Sequence, residues 1–245
     1  MRLKINLTIP NNQLSLPIHY NHILHATILN WINDEVYSRY IHDIGWSYQN
    51  RHYKMYTFSR LYGKFTIDTE KKVIFYYNNV YLTLCSIDDR FLEYVLNNII
   101  SKDSVIINAQ KLEVKEVSIE KIDIRSKMVI ESLSPIVAYK TLNIASSKKT
   151  YYFNPFEEEF EKSIKENLIR KYIALSGNNN YNGSFSISPL DNYKLKENIV
   201  KYKETVIKGW SGKFEISGDE SLVKLAFDTG LGSKNSQGFG CIRPV

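Results

Sequence analysis

Gly230-Leu231-Gly232-Ser233-Lys234-Asn235-Ser236-Gln237-Gly238-Phe239-Gly240 is the stretch on which the reading of this chain turns. Two glycine pairs, each split by one apolar residue, bracket a short polar segment that carries a lysine. Glycine accepts positive φ and lets another backbone come close, so such a loop can bend sharply and turn several N–H groups toward one point. N–H groups gathered beside an ammonium suit phosphate oxygens. A bulged hairpin with no ligand accounts for the same residues. The spacing and the missing Gly-Lys-Ser/Thr ending exclude a P-loop, and no dinucleotide fingerprint opens a helix here. Ser221–Phe227 before the loop and Cys241–Val245 after it read as strands, which sets the loop between two β-segments.

Outward from that loop, the N-terminal half has the clearer order. Arg2–Ile9 alternates Leu3, Ile5, Leu7 and Ile9 on one face, a half-buried strand. Pro10–Pro17 reads as a loop. Asn21 to about Asp34 reads as a helix with a stripe of Ile23, Leu24, Ile28, Trp31 and Ile32. Glu35–Tyr53 is a loop or short helical segment. Strand pieces follow at Lys54–Ser59, Lys64–Asp68, Lys72–Tyr77 and Val80–Ser86. Asp88 and Asp89 cap a second helix with a stripe of Phe91, Leu92, Val95, Leu96 and Ile99. Val105–Ile107 and Lys111–Ile119 close the unit. The order is β-α-β-β-α-β, the ferredoxin-like arrangement shared with RNA-recognition motifs.

A second round is less regular. Lys127–Leu133 is a strand, Ser134-Pro135 a break and Ile136–Tyr139 a continuation. A helix runs from about Phe156 to Leu175, its acids early (Glu157, Glu158, Glu159) and its cations late (Arg170, Lys171), as the helix dipole prefers. Asn-rich Gly177–Gly183 is a turn. Ser184–Ser188, Lys194–Lys208, Gly212–Ile216 and Ser221–Phe227 read as strands, with a shortened second helix expected between Ser217 and Val223. The expected architecture is α+β: two tandem ferredoxin-like domains, 1–121 and 127–245, the second carrying the glycine-rich loop.

The composition, 43% hydrophobic and 24% charged over 245 residues, provides an ample core and excludes a disordered chain. A net charge of +6 favours an anionic partner, and a pI of about 9.0 lies at the level where a nucleic-acid surface is worth suspecting. Eighteen Tyr and eleven Phe supply rings for base stacking as well as for a core. Cys85 and Cys241 lie in apolar strand contexts as free thiols, too few for a disulfide framework or a zinc site. No secretory leader opens the chain and no apolar run approaches the ~20 residues of a membrane helix, so a cytoplasmic protein without membrane contact is expected.

The groups able to carry chemistry cluster early. All five histidines, His19, His22, His25, His42 and His52, fall within roughly the first fifth of the chain. Histidine titrates near working pH and suits a general acid or base. Each also has a structural reading, as a surface-loop or helix-margin residue. His22 and His25 have a possible metal spacing, but no Cys or carboxylate cluster completes a set, so neither metal nor cofactor is expected. Asp88-Asp89 and Glu157-Glu158-Glu159 read as helix N-terminal charges. Lys194, Lys196, Lys201, Lys203 and Lys208 decorate a hairpin, either as a solvated face or as a basic groove. No nucleophile elbow, protease signature or kinase set is present.

The pattern Gly-hydrophobic-Gly, five residues, Gly-hydrophobic-Gly near the C-terminus resembles the glycine-rich loop of the RAMP superfamily. Within it, the chain resembles the CRISPR-associated endoribonucleases that cut repeat RNA into guide RNAs. The similarity runs through Leu16–Asn21, Lys54–Ser59 and Ser132–Ile136, although only the loop and the segment around Lys54–Arg60 are individually specific. The resemblance implies the same double ferredoxin-like fold and metal-independent cleavage of repeat RNA. Attack by a 2′-hydroxyl on its own phosphate would leave 5′-hydroxyl and 2′,3′-cyclic phosphate or 3′-phosphate ends. It implies His42 as a catalytic residue, because members of the family carry a histidine after the first helix. Lys54 would approach the scissile phosphate. The family often places a tyrosine or histidine on the first helix; Leu29 departs from the tyrosine pattern, and His25, with His22 as the alternative, could act instead. Arg51, His52 and Arg60 are candidates for RNA backbone contacts, as are Gly230, Gly232, Ser233, Lys234, Asn235, Ser236, Gly238 and Gly240. The implied partners are CRISPR repeat RNA, further subunits of an effector complex and a second copy in a homodimer. The rival reading is a non-catalytic RNA-binding subunit of such a complex.

Overall fold

The computed structural model describes residues 1–10, 13–144, 147–190 and 195–245. Strand β1 (Arg2–Thr8) is central because alternate residues Leu3, Ile5 and Leu7 have no exposed surface, leaving both of its edges free to pair. The N-terminal half continues through β2 (Leu14–Pro17), α1 (Asn21–Asn30), α2 (Glu35–Arg39), a π-helical turn (Tyr40–Ile44), β3 (Trp46–Tyr48), β4 (Arg51–Tyr53), β5 (Tyr56–Phe58), β6 (Tyr62–Asp68), β7 (Val73–Ser86), α3 (Asp89–Lys102), β8 (Ser104–Ile107) and β9 (Gln110–Ile119). β1 pairs antiparallel with β7 on one side and β9 on the other, while β5 and β6 line the far edge of β7. The resulting order, β5/β6-β7-β1-β9, is that of a ferredoxin-like sheet. Asp88 caps α3 by accepting from the Arg90 N–H at 3.1 Å, and Phe91, Leu92, Val95 and Ile99 pack on the sheet.

Three segments differ from expectation here. Leu14–Pro17, read as loop, is a strand on β7, because Leu14 and Leu16 alternate into the core. The two strands expected at Lys72–Tyr77 and Val80–Ser86 are one long strand, bent at Asn78, whose φ is +63°. Glu35–Tyr53, read as a loop or short helical segment, holds a short helix and the π turn as that reading allows, and in addition the β3–β4 hairpin.

The C-terminal half repeats the plan with β10 (Lys127–Ser132), β11 (Tyr139–Ile144), β12 (Ser147–Tyr152), α4 (Glu158–Ser176), β13 (Phe185–Pro189), β14 (Lys196–Tyr202), β15 (Thr205–Ser211), β16 (Lys213–Gly218), α5 (Glu220–Thr229), a 3₁₀ turn (Asn235–Gln237) and β17 (Ile242–Pro244). Its sheet runs β13-β16-β10-β17, the same order as the first. Two hairpins are inserted into this second ferredoxin-like unit, β11–β12 before α4 and β14–β15 between β13 and β16. The expected lysine hairpin is therefore present as Lys196–Ser211, and Lys194 lies outside the described residues.

Ser221–Phe227 is the clear correction: it is helix α5, not a strand. Leu222, Val223, Leu225 and Ala226 recur at helical spacing and all are buried against the sheet. The second helix is thus full and the glycine-rich loop joins a helix to a strand. Among the described residues no helix is long and apolar enough to cross a membrane.

The two units are tied along one seam. Thr57 donates to the Phe239 carbonyl at 2.9 Å, Ser134 to the Phe58 carbonyl at 3.1 Å and the Arg2 guanidinium to the Ile242 carbonyl at 2.6 Å. Cys85 and Cys241 are free thiols buried in this seam beside Leu133.

Candidate active site and nucleic-acid cleft

α1 presents Leu24, Thr27 and Ile28 to the core, which leaves His25 at the margin of the helix, half-buried. The next helix, α2, is started by Asp34, which accepts from the Tyr37 N–H at 2.8 Å. It runs into the π turn that carries His42. Gly45 ends the turn with φ +62°, and a Cβ there would stand 2.3 Å from the Tyr53 carbonyl oxygen. Only glycine lets the turn close against the backbone that leads into Lys54. Met55 follows with φ +55°, a left-handed conformation rare for such a side chain, held by Ser86 Oγ donating to its carbonyl at 3.1 Å. Lys54 therefore stands outside β5 instead of continuing its line.

These elements bring His25 and His42 together. Their rings stack with centroids 6.1 Å apart and planes 23° from parallel. His42 Nδ1 lies 2.7 Å from Asp43 Oδ1 at an exposed position. His25 Nδ1 lies 2.5 Å from the hydroxyl of Tyr202, which reaches over from the β14–β15 hairpin of the second unit. Burial pushes the His25 imidazole down to about 4, and the cationic forms of His42, Lys203 and Lys54 push the same way. Burial also lowers Lys54, while Asp43 opposes that shift. His22 is turned away: its Nδ1 meets the His19 carbonyl at 3.1 Å, although its ring stands edge-on to Tyr202.

Beside this pair lies a cleft of about 820 Å³ between the two units. Arg51, His52, Lys54 and Tyr56 line it from the first unit; Lys140, Lys162, Arg170 and the loop residues Ser233, Lys234, Asn235 and Ser236 line it from the second. Glu159 and Glu166 are the acids on its wall, and Glu166 is taken up by Arg170 at 2.9 Å. The cleft is therefore basic. Lys54 and Tyr56 connect it to the histidines, since Tyr56 also touches the His25 ring. Arg60 stands apart, its N–H on the Leu133 carbonyl and its buried Nε without a hydrogen-bond partner.

Within the loop, Gly230, Gly232, Gly238 and Gly240 are buried, while Ser233, Lys234 and Ser236 face the cleft. The N–H groups of Gly230, Gly238 and Gly240 go to protein carbonyls. A Cβ on Gly238 would meet the Phe58 ring at 2.5 Å, and one on Gly240 the Leu231 oxygen at 2.0 Å. Asn235 closes the loop: its amide donates to the Leu231 and Phe239 carbonyls at 3.0 and 3.1 Å, one in each glycine pair. Asn21 donates to the Gln237 and Gly238 carbonyls from α1, seating the loop on the helix that carries His25.

Two residues that matter here are not among the expected site residues. The sequence reads Lys171 only as a helix-dipole cation, which its burial away from the last turn of α4 corrects, and does not single out Tyr202. Lys171 on α4 is 3% exposed and donates to the Gly230 carbonyl and to Asn235 Oδ1, each at 2.8 Å, and to Thr229. Its signal was present, since Phe160, Ile164 and Leu168 set a buried stripe on which Lys171 falls next. Tyr202 left no such signal. Among the described residues no three His, Cys, Asp or Glu side chains converge as a metal set.

The description "CRISPR associated protein Cas6, C-terminal" fits residues 115–244, more than half of the chain. The chain belongs to the Cas6 family. A protein of Methanocaldococcus jannaschii named CRISPR-associated endoribonuclease Cas6 1 is 24% identical over 249 residues, 99% of this chain and 92% of that protein. Among solved structures, one described as the characterization of a Cas6-related gene from Pyrococcus furiosus matches with a TM-score of 0.86 at 20% identity, covering 100% of this chain and 98% of that one. Another, described as a RAMP protein binding different RNA substrates, matches with a TM-score of 0.83 at 21% identity over 100% and 99% of the two chains. These Cas6 and RAMP structures share the double ferredoxin-like fold.

Proposed function

We propose that this chain is an endoribonuclease that cuts CRISPR repeat RNA without a metal ion, with His42 and His25 exchanging protons with the substrate and Lys54 supplying charge. The observation that carries the reading is the stacking of the His25 and His42 rings at 6.1 Å, beside a lysine that also lines a basic cleft. The names of the relatives support the substrate class.

A 2′-hydroxyl attacking its neighbouring phosphate needs a group to take its proton, another to protonate the departing 5′-oxygen, and a cation against the phosphorane charge. His25, kept neutral by burial, has a free lone pair at neutral pH and is suited to take the proton. His42 faces solvent across the stack and is suited to the opposite transfer. The Lys54 ammonium is the compact charge for the phosphorane. The backbone of the RNA would lie along Arg51, Lys162, Arg170 and Lys234.

The test is to incubate the purified protein with labelled repeat RNA in EDTA. Cutting that persists and leaves a 2′,3′-cyclic phosphate supports the reading. Loss of cutting on chelation overturns the mechanism. RNA binding with a steep salt dependence but no scission would move the chain to the non-catalytic class.

A further inference from the structure

The histidine pair is not completed by the first unit alone. Tyr202 is the last residue of β14, next to the turn of the inserted hairpin, and its ring is buried with Val137, Val200, Ile207 and Phe239. Phe239 belongs to the second glycine pair, so the loop, the hairpin and the tyrosine pack as one body. Lys203 follows at φ +52° and turns the chain immediately beyond the tyrosine. The groups facing His25 are then the His42 ring across the stack, the Tyr56 ring at 6.4 Å, the charges of Lys54 and Lys203, and the Tyr202 hydroxyl, which is the hydrogen-bond partner of Nδ1.

We propose that Tyr202 is a positioning residue of the ribonuclease site: its oxygen accepts the Nδ1–H of His25, so that the Nε2 lone pair is the one offered to the RNA. This deepens the cleavage reading above and rests on it. The imidazole has two nitrogens, and a proton acceptor must present the bare one. A free neutral imidazole in water prefers its proton on Nε2, the wrong tautomer for that task. An oxygen that accepts from Nδ1 at 2.5 Å reverses the preference, as an acceptor on the second ring nitrogen does in other histidine sites. A phenol donating to Nδ1 would instead fix the Nε2–H form, which the ring spectrum below would reveal. When Nε2 takes the 2′-hydroxyl proton, Nδ1 keeps its own, and Tyr202 continues to accept it. The phenol can play this part without ionising, because burial holds it up to about 12.

The test is Tyr202→Phe, which keeps the ring in its apolar contacts and removes only the hydroxyl. A positioned base contributes ~10²–10⁴-fold, and loss of its orientation is expected to lower single-turnover cleavage by about 10-fold or more while RNA affinity and melting temperature stay near wild type. Nitrogen-15 NMR of the His25 ring should show Nδ1–H in the wild type and a shift toward Nε2–H in the variant. A variant that cuts within about twofold of wild type, or whose His25 keeps the wild-type tautomer, overturns the proposal. The ring spectrum needs no activity. A wild-type protein that cuts no RNA would therefore refute the cleavage reading, while the NMR arm still decides whether Tyr202 sets the imidazole.

Discussion

The ammonium of Lys171 lies 2.8 Å from the side-chain oxygen of Asn235, joining the buried face of α4 to the centre of the glycine-rich loop. Asn235 passes that contact on to both glycine pairs. Lys171→Met would leave oxygens of Thr229, Gly230 and Asn235 buried without the ammonium donor. Asn235→Ala would take the side-chain donor from the Leu231 carbonyl and one of two from the Phe239 carbonyl, which keeps Thr57. Each is expected to cost ~2–4 kcal/mol in chemical denaturation. Because the two act on one network, the double variant should lose clearly less than the sum. Simple additivity would show that the loop is held by something else.

Lys171 also sets a pH dependence. Burial pushes its folded-state value down to about 7, whereas an unfolded lysine holds its proton to about 10.4. Between those limits the unfolded chain binds more protons, so stability rises with pH from about 7 toward 10. Melting temperatures of wild type and Lys171→Met at pH 7.5 and 9.5 should diverge in slope, only the wild type carrying this rise.

His42→Ala should reduce single-turnover cleavage by ~10²–10⁴-fold with RNA binding nearly intact. Lys54→Ala should cost ~10²–10³-fold through the loss of charge at the phosphorane. A fully active His42→Ala protein would return the assignment to His22 or His52.

In an NMR titration the His25 ring should change protonation with a midpoint near 4, well below an ordinary histidine. The ring would then be neutral throughout the physiological range. A midpoint between 6 and 7 would mean the ring is open to water.

Gly45→Ala forces a Cβ to within 2.3 Å of the Tyr53 oxygen at a φ that disfavours any side chain. The cost is expected at ~1–3 kcal/mol, and the turn bearing His42 should shift from His25. Cleavage should fall more than RNA binding, and comparing the rate with a filter-binding curve reads the difference.

Much of the fold was legible because its elements have one unambiguous period. β1 alternates cleanly, and α3 has both a cap and a stripe. Ser221–Phe227 was not, since Val223, Leu225 and Phe227 satisfy a strand period while Leu222, Leu225 and Ala226 satisfy a helix period. Seven residues do not separate the two. In the candidate site, His42 and Lys54 stood out through the family resemblance of their segments, which lie close together in sequence. Tyr202 did not, because its partner lies 177 residues earlier and the contact depends on how an inserted hairpin leans. The glycines could be singled out, but their burial could not be read, since a positive-φ loop and a backbone wedged against Phe58 need the same residue.

The hydrogen bond from Asn21 to the Gly238 carbonyl spans 217 residues of chain. On a ribosome, the helix with His25 is made early and waits for almost the entire polypeptide before its neighbour exists. Translation halted anywhere short of that glycine would release a fragment lacking both the clasp and the fourth strand of the second sheet. The contact between α1 and the glycine-rich loop therefore closes only once synthesis is nearly done, and contacts of such long sequence separation are slow to form.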